Sequence, residues 1–378
     1  MSPRFPAETF SPGEFIRDEL GARGWTQGDL AQIMGRPLQF VNELTAGKKQ
    51  ITPETAVGLA QAFGDDDALY WMNLDSAYRL AHTKPPDESV GRRAKLYSRF
   101  PVRELVKRNW IESSDNIDVI ERRVCRFYHI NNIDDDPKFA HAAKADQYVG
   151  RTHIQWAWLY RARELAEAVQ SAPYQEGKLR EAVRKLRAIL VAPEEIRQVP
   201  QLLASAGVRF VVVEFIPGAK VDGAAFWLED TPVIAMSLRF DRVNNFWFVL
   251  RHEVEHILNK DSVVTMDVEL TEKLQRREAL PPEEVRANEA AAEYLVPKSE
   301  LDNFITRVRP LFSEQRILLF AKRIGVHPGL VVGQLQFRDE VPYTHFHKYL
   351  VKIREIVTQT ALTDGWGTVP PIPRKNGM

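Results

Sequence analysis

Over residues 1–81, short runs of apolar positions at helical spacing alternate with turn signals: Ser11-Pro12-Gly13, Arg23-Gly24, Met34-Gly35-Arg36-Pro37, Ala46-Gly47 and Phe63-Gly64. The runs predict helices near 13–22, 27–34, 38–45, 53–63 and 67–80. Ile16, Leu20, Leu30, Ala31, Val41, Leu44, Leu59 and Phe63 are their shared core. Thr52 followed by Pro53 and Glu54 has the form of a helix start, with a capping hydroxyl and a proline in the first turn. Between 96 and 204 the pattern stays helical, in segments near 103–110, 117–128, 140–148, 156–170, 179–189 and 194–206, and Trp110, Phe127, Trp156, Trp158 and Tyr160 supply bulk for a core. This stretch carries no chemical constellation and reads as a packing layer, with a dimer or ligand-sensing surface as a further use. Strand pattern is confined to 208–215, 223–228 and 233–238, punctuated by Pro217-Gly218, Asp222-Gly223 and Asp230-Thr231-Pro232. The expected fold is mainly α with a small α+β part, its sheet antiparallel or mixed. The strand at 233–238, just ahead of the next helix, is the expected sheet edge, able to hold an extended peptide, and suits equally a strand that only supports that helix.

Composition narrows the function classes. A chain of 378 residues suggests two or three domains, and 44% hydrophobic residues suffice for packed cores. With 51 basic and 51 acidic residues the net charge is zero, so affinity for nucleic acid has to come from local clustering. Cys125 is the single cysteine, which excludes an internal disulfide and reads as a packed core residue. No signal-peptide pattern and no apolar run of about 18 residues stands in the chain, so a cytoplasmic protein without a membrane span is expected. Residues 82–95, with Pro85, Pro86, Arg92, Arg93 and Lys95, read as a linker or exposed basic arm.

The chemistry concentrates at His252-Glu253-Val254-Glu255-His256. Two imidazoles four residues apart share one helix face, and Glu253 projects beside them. A tetrahedral zinc ion takes such a pair from one side, and the carboxylate serves as general base toward water. Phe246 to Leu250 before the motif, with Ile257 and Leu258 after it, predict a buried helix over about 241–259 that holds the ligands rigidly. A third ligand has to come from elsewhere. Glu284 opens a helix that continues through Ala290-Ala291-Ala292 to Pro297, and the alanines allow close helix approach; Glu283, Glu289 and Glu293 compete with it. His345 and His347 share a ligand spacing but read as surface or packing residues, and the remaining five histidines show none.

In the N-terminal region the pair 27–34 and 38–45 has the form of a helix-turn-helix with Gly35-Arg36-Pro37 as its link. Its second helix would present Leu38, Gln39 and Asn42 to the major groove, with Gln27, Lys48 and Lys49 toward phosphates. Helix lengths alone equally suit an interaction domain with solvated polar residues. The stretches Ser11-Pro12-Gly13-Glu14, Trp25-Thr26-Gln27-Gly28-Asp29-Leu30-Ala31, Val41-Asn42-Glu43-Leu44 and Gly47-Lys48-Lys49-Gln50-Ile51-Thr52-Pro53-Glu54-Thr55-Ala56 resemble the Xre-type DNA-binding domain of HigA-like antitoxins, over about residues 8–81. The resemblance implies binding to palindromic operator DNA as a homodimer. Pro37 and Leu38 stand where that family usually has small polar or basic residues.

The C-terminal half resembles the ImmA/IrrE family of zinc metallopeptidases, on Val221-Asp222-Gly223-Ala224, the His252 to His256 motif, Glu284-Val285-Arg286-Ala287-Asn288 with the run to Pro297, and Gly325-Val326-His327-Pro328 to Leu335. In that family the Glu three residues before an Ala-Asn pair is the third metal ligand, which implies Glu284. Glu255 replaces a usually small residue, and Ala290 a common Phe. Together the resemblances imply an Xre-type helix-turn-helix domain at 1–81, a linker at 82–95, a helical middle region at 96–206 and a zincin-like metallopeptidase domain at 207–378. They imply a DNA-binding, antitoxin-like regulator with a zinc-dependent endopeptidase acting on a protein partner, a repressor or a toxin. The alternative is a DNA-binding antitoxin or autorepressor whose peptidase-like domain is catalytically silent and binds a toxin or ligand.

Overall fold

The structure is a computed structural model, and it describes residues 10–65, 67–83, 88–137, 151–261, 264–268 and 280–365. It is mainly helical with one mixed five-stranded sheet, and it divides into two compact units, Met1–Val90 and Gly91–Met378.

In the first unit α1 (Pro12–Arg23), α2 (Gln27–Ile33), α3 (Leu38–Thr45), α4 (Pro53–Phe63) and α5 (Ala68–His82) follow the predicted helices within two residues at either end. Local chemistry sets the boundaries. Ser11 with Glu14 and Thr26 with Asp29 form capping boxes, Thr52 caps α4, and left-handed Gly24 and Gly64 end α1 and α4. Gly13 brings the start of α1 against the end of α3: a Cβ there would lie 2.2 Å from the Thr45 carbonyl oxygen. Ile16, Leu30, Val41, Leu44, Leu59 and Trp71 close the core.

The second unit contains α6 (Glu88–Arg99), which begins within the first unit's last residues, then α7 (Val102–Lys107), α8 (Ile117–Tyr128), α9 (His153–Ala168), α10 (Glu176–Ala188) and α11 (Val199–Ser205). The strands are β1 (Arg209–Val212), β2 (Val221–Leu228), β3 (Thr231–Met236), β4 (Val264–Val268) and β5 (Leu362–Thr363). Between and after them come α12 (Val243–Asn259), α13 (Pro282–Leu295), α14 (Lys298–Val308), α15 (Glu314–Ile324), α16 (Pro328–Phe337) and α17 (Arg354–Val357).

The sheet runs β4-β2-β3-β1-β5, with β1 parallel to β3 and β5, and β2 antiparallel to β3 and β4. Both faces are buried. Phe210, Val212, Ile234 and Met236 join the core built with α10 to α16, whereas Val211, Val213, Val233 and Ala235 join the core built with α6 to α9. A strand covered on both sides reads as a continuous apolar run, which is why 208–213 and 233–236 lack polar alternation. Helices α6 to α9 therefore cover one face of this sheet, and α10 to α16 the other. The Trp158 indole nitrogen donates to the Val213 carbonyl oxygen at 2.9 Å and fastens α9 to it.

Three expectations change. The strand at 233–238 is not an edge: β3 lies at the centre, flanked by β1 and β2, and the edges are β4 and β5. Its continuous hydrophobicity belongs to a central strand. The basic stretch at 88–95 is helix rather than linker, because its cations have partners: Arg92 bridges Asp118 and Glu121, Lys95 reaches Asp134 at 2.6 Å, and Arg93 donates to the Asp115 carbonyl oxygen. The expected middle region and peptidase region lie in one compact unit. The predicted helix at 140–148 lies outside the described residues. Among the described residues no helix is long and apolar enough to cross a membrane.

Candidate metal centre

Helix α12 runs through the interior. Phe246, Trp247, Leu250, Val254 and Ile257 anchor it, and His252, Glu253 and His256 are only 0%, 0% and 2% exposed, so these three face the interior rather than solvent. Its start is held from outside the helix: the Asp241 carboxylate accepts from the backbone N–H of Ile353 and Arg354, and Val243 N–H donates to the Val351 carbonyl.

Helix α13 brings the third group. Buried Ala287 and Ala291, one turn apart, allow the approach to α12, rather than the run 290–292 as a whole. Glu284, in the first turn of α13, places Oε2 3.2 Å from His252 Nε2 and Oε1 3.5 Å from His256 Nε2, and the two imidazole nitrogens are 2.9 Å apart. Glu283 and Glu289 are exposed, and Glu293 accepts from the Lys298 backbone N–H, so Glu284 alone of the four candidates joins the imidazoles. Burial by itself pushes the Glu284 carboxyl up, but hydrogen bonds and charge from His252 and His256 outweigh it and hold the group well below the usual carboxylate range.

The donor set fits zinc. An ion about 2.0–2.1 Å from each of its ligands in tetrahedral geometry separates them by about 3.3 Å; the imidazole nitrogens are 2.9 Å apart and Glu284 Oε2 lies 3.2 Å from His252, while the 3.5 Å contact to His256 is made by the other carboxylate oxygen, Oε1. His256 Nδ1 lies 2.9 Å from Asp261 Oδ2. A carboxylate that is ionised only accepts, so Nδ1 carries a proton, and once the imidazole is neutral its Nε2 is the nitrogen that would bind a metal. Asp261 is in turn bound by Arg286 of α13. It reaches this position because Lys260 takes a left-handed conformation at φ 51°, turning the chain back so that the Asp261 N–H donates to the His256 carbonyl. Among the described residues, His252, His256 and Glu284 are the one group of such side chains close enough to share an ion.

Glu253 is shaped from the sheet side. A Cβ on Gly223 of β2 would stand 2.5 Å from Glu253 Oε1 and 2.7 Å from Val249 Cγ1, so only glycine leaves room for the carboxylate. Glu255 points elsewhere. Burial raises its pKa, yet hydrogen bonds from Arg251 and Asn259 bring it net below the ordinary value, so its charge is balanced within its own turn. His345 and His347 are exposed, and His347 bonds the Tyr343 carbonyl oxygen. Cys125 packs half-buried against the second core, and burial pushes its thiol up, away from thiolate chemistry.

In the first unit, Leu38 is 52% exposed at the start of α3, and Gln39 and Asn42 are exposed beside it. Gln27 is half-buried at the start of α2. Lys48 and Lys49 are exposed, and their backbone N–H groups both donate to the Glu43 carbonyl, which fixes the turn after α3. The Lys49 ammonium is committed nearby, 3.2 Å from Glu43 Oε2 and over the Phe40 ring, whereas Gln39 shares the same carboxylate at 3.2 Å.

Asp261, Arg286 and the role of Gly223 were not among the site residues picked from sequence. Asp261 carries a signal in retrospect: an acidic residue just beyond the end of a ligand helix is within reach of its last imidazole once one residue turns left-handed. No protein-family model matches the chain, and no curated protein matches it.

Proposed function

We propose that this chain is a DNA-binding, antitoxin-like regulator whose C-terminal region is a zincin-like, zinc-dependent endopeptidase acting on a protein partner, a repressor or a toxin. The observation that supports it most is the convergence of His252, His256 and Glu284 from two helices, beside a buried Glu253. His252, His256 and Glu284 would hold the ion, and Asp261 orients His256. When bound, zinc supplies Lewis acidity toward a peptide carbonyl and acidifies water. Glu253 takes the proton of the attacking water on its carboxylate and delivers it to the departing amine nitrogen. Gly223 leaves the space that carboxylate occupies, and its burial on α12 keeps bulk water off it. The exposed edge of α3, with Leu38, Gln39 and Asn42, and Lys48 and Lys49 after it, would read operator DNA in a homodimer.

The test pairs metal analysis with partner loss. Purified protein is expected to hold one zinc per chain, and a co-expressed partner encoded beside it is expected to be cleaved by the wild type and spared by Glu253→Gln, which keeps its zinc. Unchanged cleavage in Glu253→Gln, or zinc lost with that substitution, overturns the assignment.

A further inference from the structure

We propose that the cavity next to the metal centre receives an extended, uncharged peptide segment of the substrate, with one or two bulky apolar side chains beside the scissile bond and their backbone amides held by Asn288 and Asn244. The inference rests on the peptidase reading. The cavity measures about 490 Å³, between the first half of α12, α13 and α16, and lies in the range of about 300–1,000 Å³ common to ligand pockets. Its walls are apolar, with Phe240, Phe248, Leu295, Leu330 and Phe337, and its polar lining is mostly carboxamide. Arg242 and Glu289 are the two charged residues of opposite sign along it, so it offers no net charge to an ionic ligand.

The buried amides give the occupant its chemistry. Asn288 is 8% exposed, and among the described residues neither atom of its carboxamide has a hydrogen-bond partner; the Asn244 Oδ1 atom is in the same state. A carboxamide wants both an acceptor and a donor in return, and a peptide unit carries one of each. A phosphate or carboxylate would meet the N–H₂ alone and leave the oxygen unsatisfied.

Position ties the cavity to the chemistry. Phe248 stacks on His252 with ring centroids 6.4 Å apart, so the same ring forms a cavity wall and packs on a metal ligand. Asn288 stands one helical turn beyond Glu284, and Phe248 one turn before His252. A turn rises about 5.4 Å and an extended chain about 3.3 Å per residue. A peptide with its carbonyl at the centre therefore enters the cavity within two residues.

The experiment uses full-length, zinc-loaded Glu253→Gln protein and calorimetric titration with two blocked dipeptides, acetyl-Leu-Phe-amide and acetyl-Asp-Lys-amide. The apolar probe is expected to bind at least tenfold more tightly. Ala292→Phe, which fills the cavity from α13, is expected to abolish that binding. Asn288→Leu is expected to weaken it at least tenfold, since both hydrogen bonds of the carboxamide are lost, with zinc content unchanged in both variants. Equal affinity for the two probes, apolar binding that survives Ala292→Phe, or binding of octanamide with neither peptide bound overturns the proposal. Failure of the peptidase reading looks different: the peptide selectivity is present, yet wild-type protein cleaves no partner.

Discussion

Substituting Gly223 by alanine tests how the sheet shapes the centre. The new Cβ would come within 2.5 Å of Glu253 Oε1 and 2.7 Å of Val249 Cγ1, both on buried residues of α12. Neither side can retreat freely. Gly223 is paired with Met236 of β3 on one side and Asp267 of β4 on the other, and α12 is anchored between the sheet and the helices that follow. Overpacking of this kind costs about 1–3 kcal/mol. At about 2–4 °C per kcal/mol for a unit of this size, a middle value of about 2 kcal/mol lowers the melting temperature by roughly 4–8 °C. The carboxylate is the softer of the two neighbours, so it is displaced first, and loss of a general base costs about 10²- to 10⁴-fold in cleavage. Scanning calorimetry of wild type, Gly223→Ala, Glu253→Ala and the double variant separates the contributions. Because Glu253→Ala removes the contacted oxygen, the double variant should recover part of the loss, a coupling of about 0.5–3 kcal/mol. A Gly223→Ala protein that melts within about 1 °C of wild type, or a double variant with purely additive losses, would refute the close-packing argument.

Other perturbations read the remaining parts. Asp261→Asn should weaken zinc binding about 10- to 100-fold, because His256 loses the carboxylate that fixes its proton on Nδ1; competition with a chromogenic chelator measures it, and unchanged affinity rejects the orienting role. Removing zinc from protein held at about 100 times its Kd should withdraw about 2.7 kcal/mol of stability, seen as a lower melting temperature after chelation and restored by added zinc; a melt indifferent to chelator rejects the site. On an operator selected from random duplexes, Lys48→Ala should reduce the slope of log affinity against log salt by about 0.9. Lys49→Ala should reduce it less, since that ammonium already pairs with Glu43. Equal slopes for wild type and Lys48→Ala would remove this lysine from the phosphate contacts.

Helices α1 to α4 were legible because each carries its own start and stop: a capping hydroxyl or a proline at one end and a left-handed glycine, Gly24, Gly35, Gly47 or Gly64, at or just past the other. Strand order was not. The residues at 233–236 pair with β1 in parallel and with β2 in antiparallel, and nothing local to them announces two partners. The fifth strand, Leu362–Thr363, is two residues long and gains its place only through β1, so no periodicity could reveal it. The basic run at 92–95 misled for a related reason: charge that looks solvated in one dimension is balanced by Asp118, Glu121 and Asp134, more than twenty residues away.

The site divides along the same line between local spacing and long-range approach. His252, Glu253 and His256 are set by helix geometry alone, so five residues are enough to bring them together. Glu284 comes from another helix, and its selection over Glu283, Glu289 and Glu293 depends on which face of α13 meets α12. That face is written in the sequence as Ala287 and Ala291, the two positions small enough to let the helices touch, and Glu284 lies one turn before Ala287 and Asn288. A carboxylate on the alanine face is the one carried inward, whereas Glu283 and Glu289 turn to solvent. The pattern of small residues thus carries more information about the third candidate ligand than the acidic residues themselves. Placing a leucine at Ala287 would push α13 outward and draw Glu284 away from both imidazoles without touching a ligand.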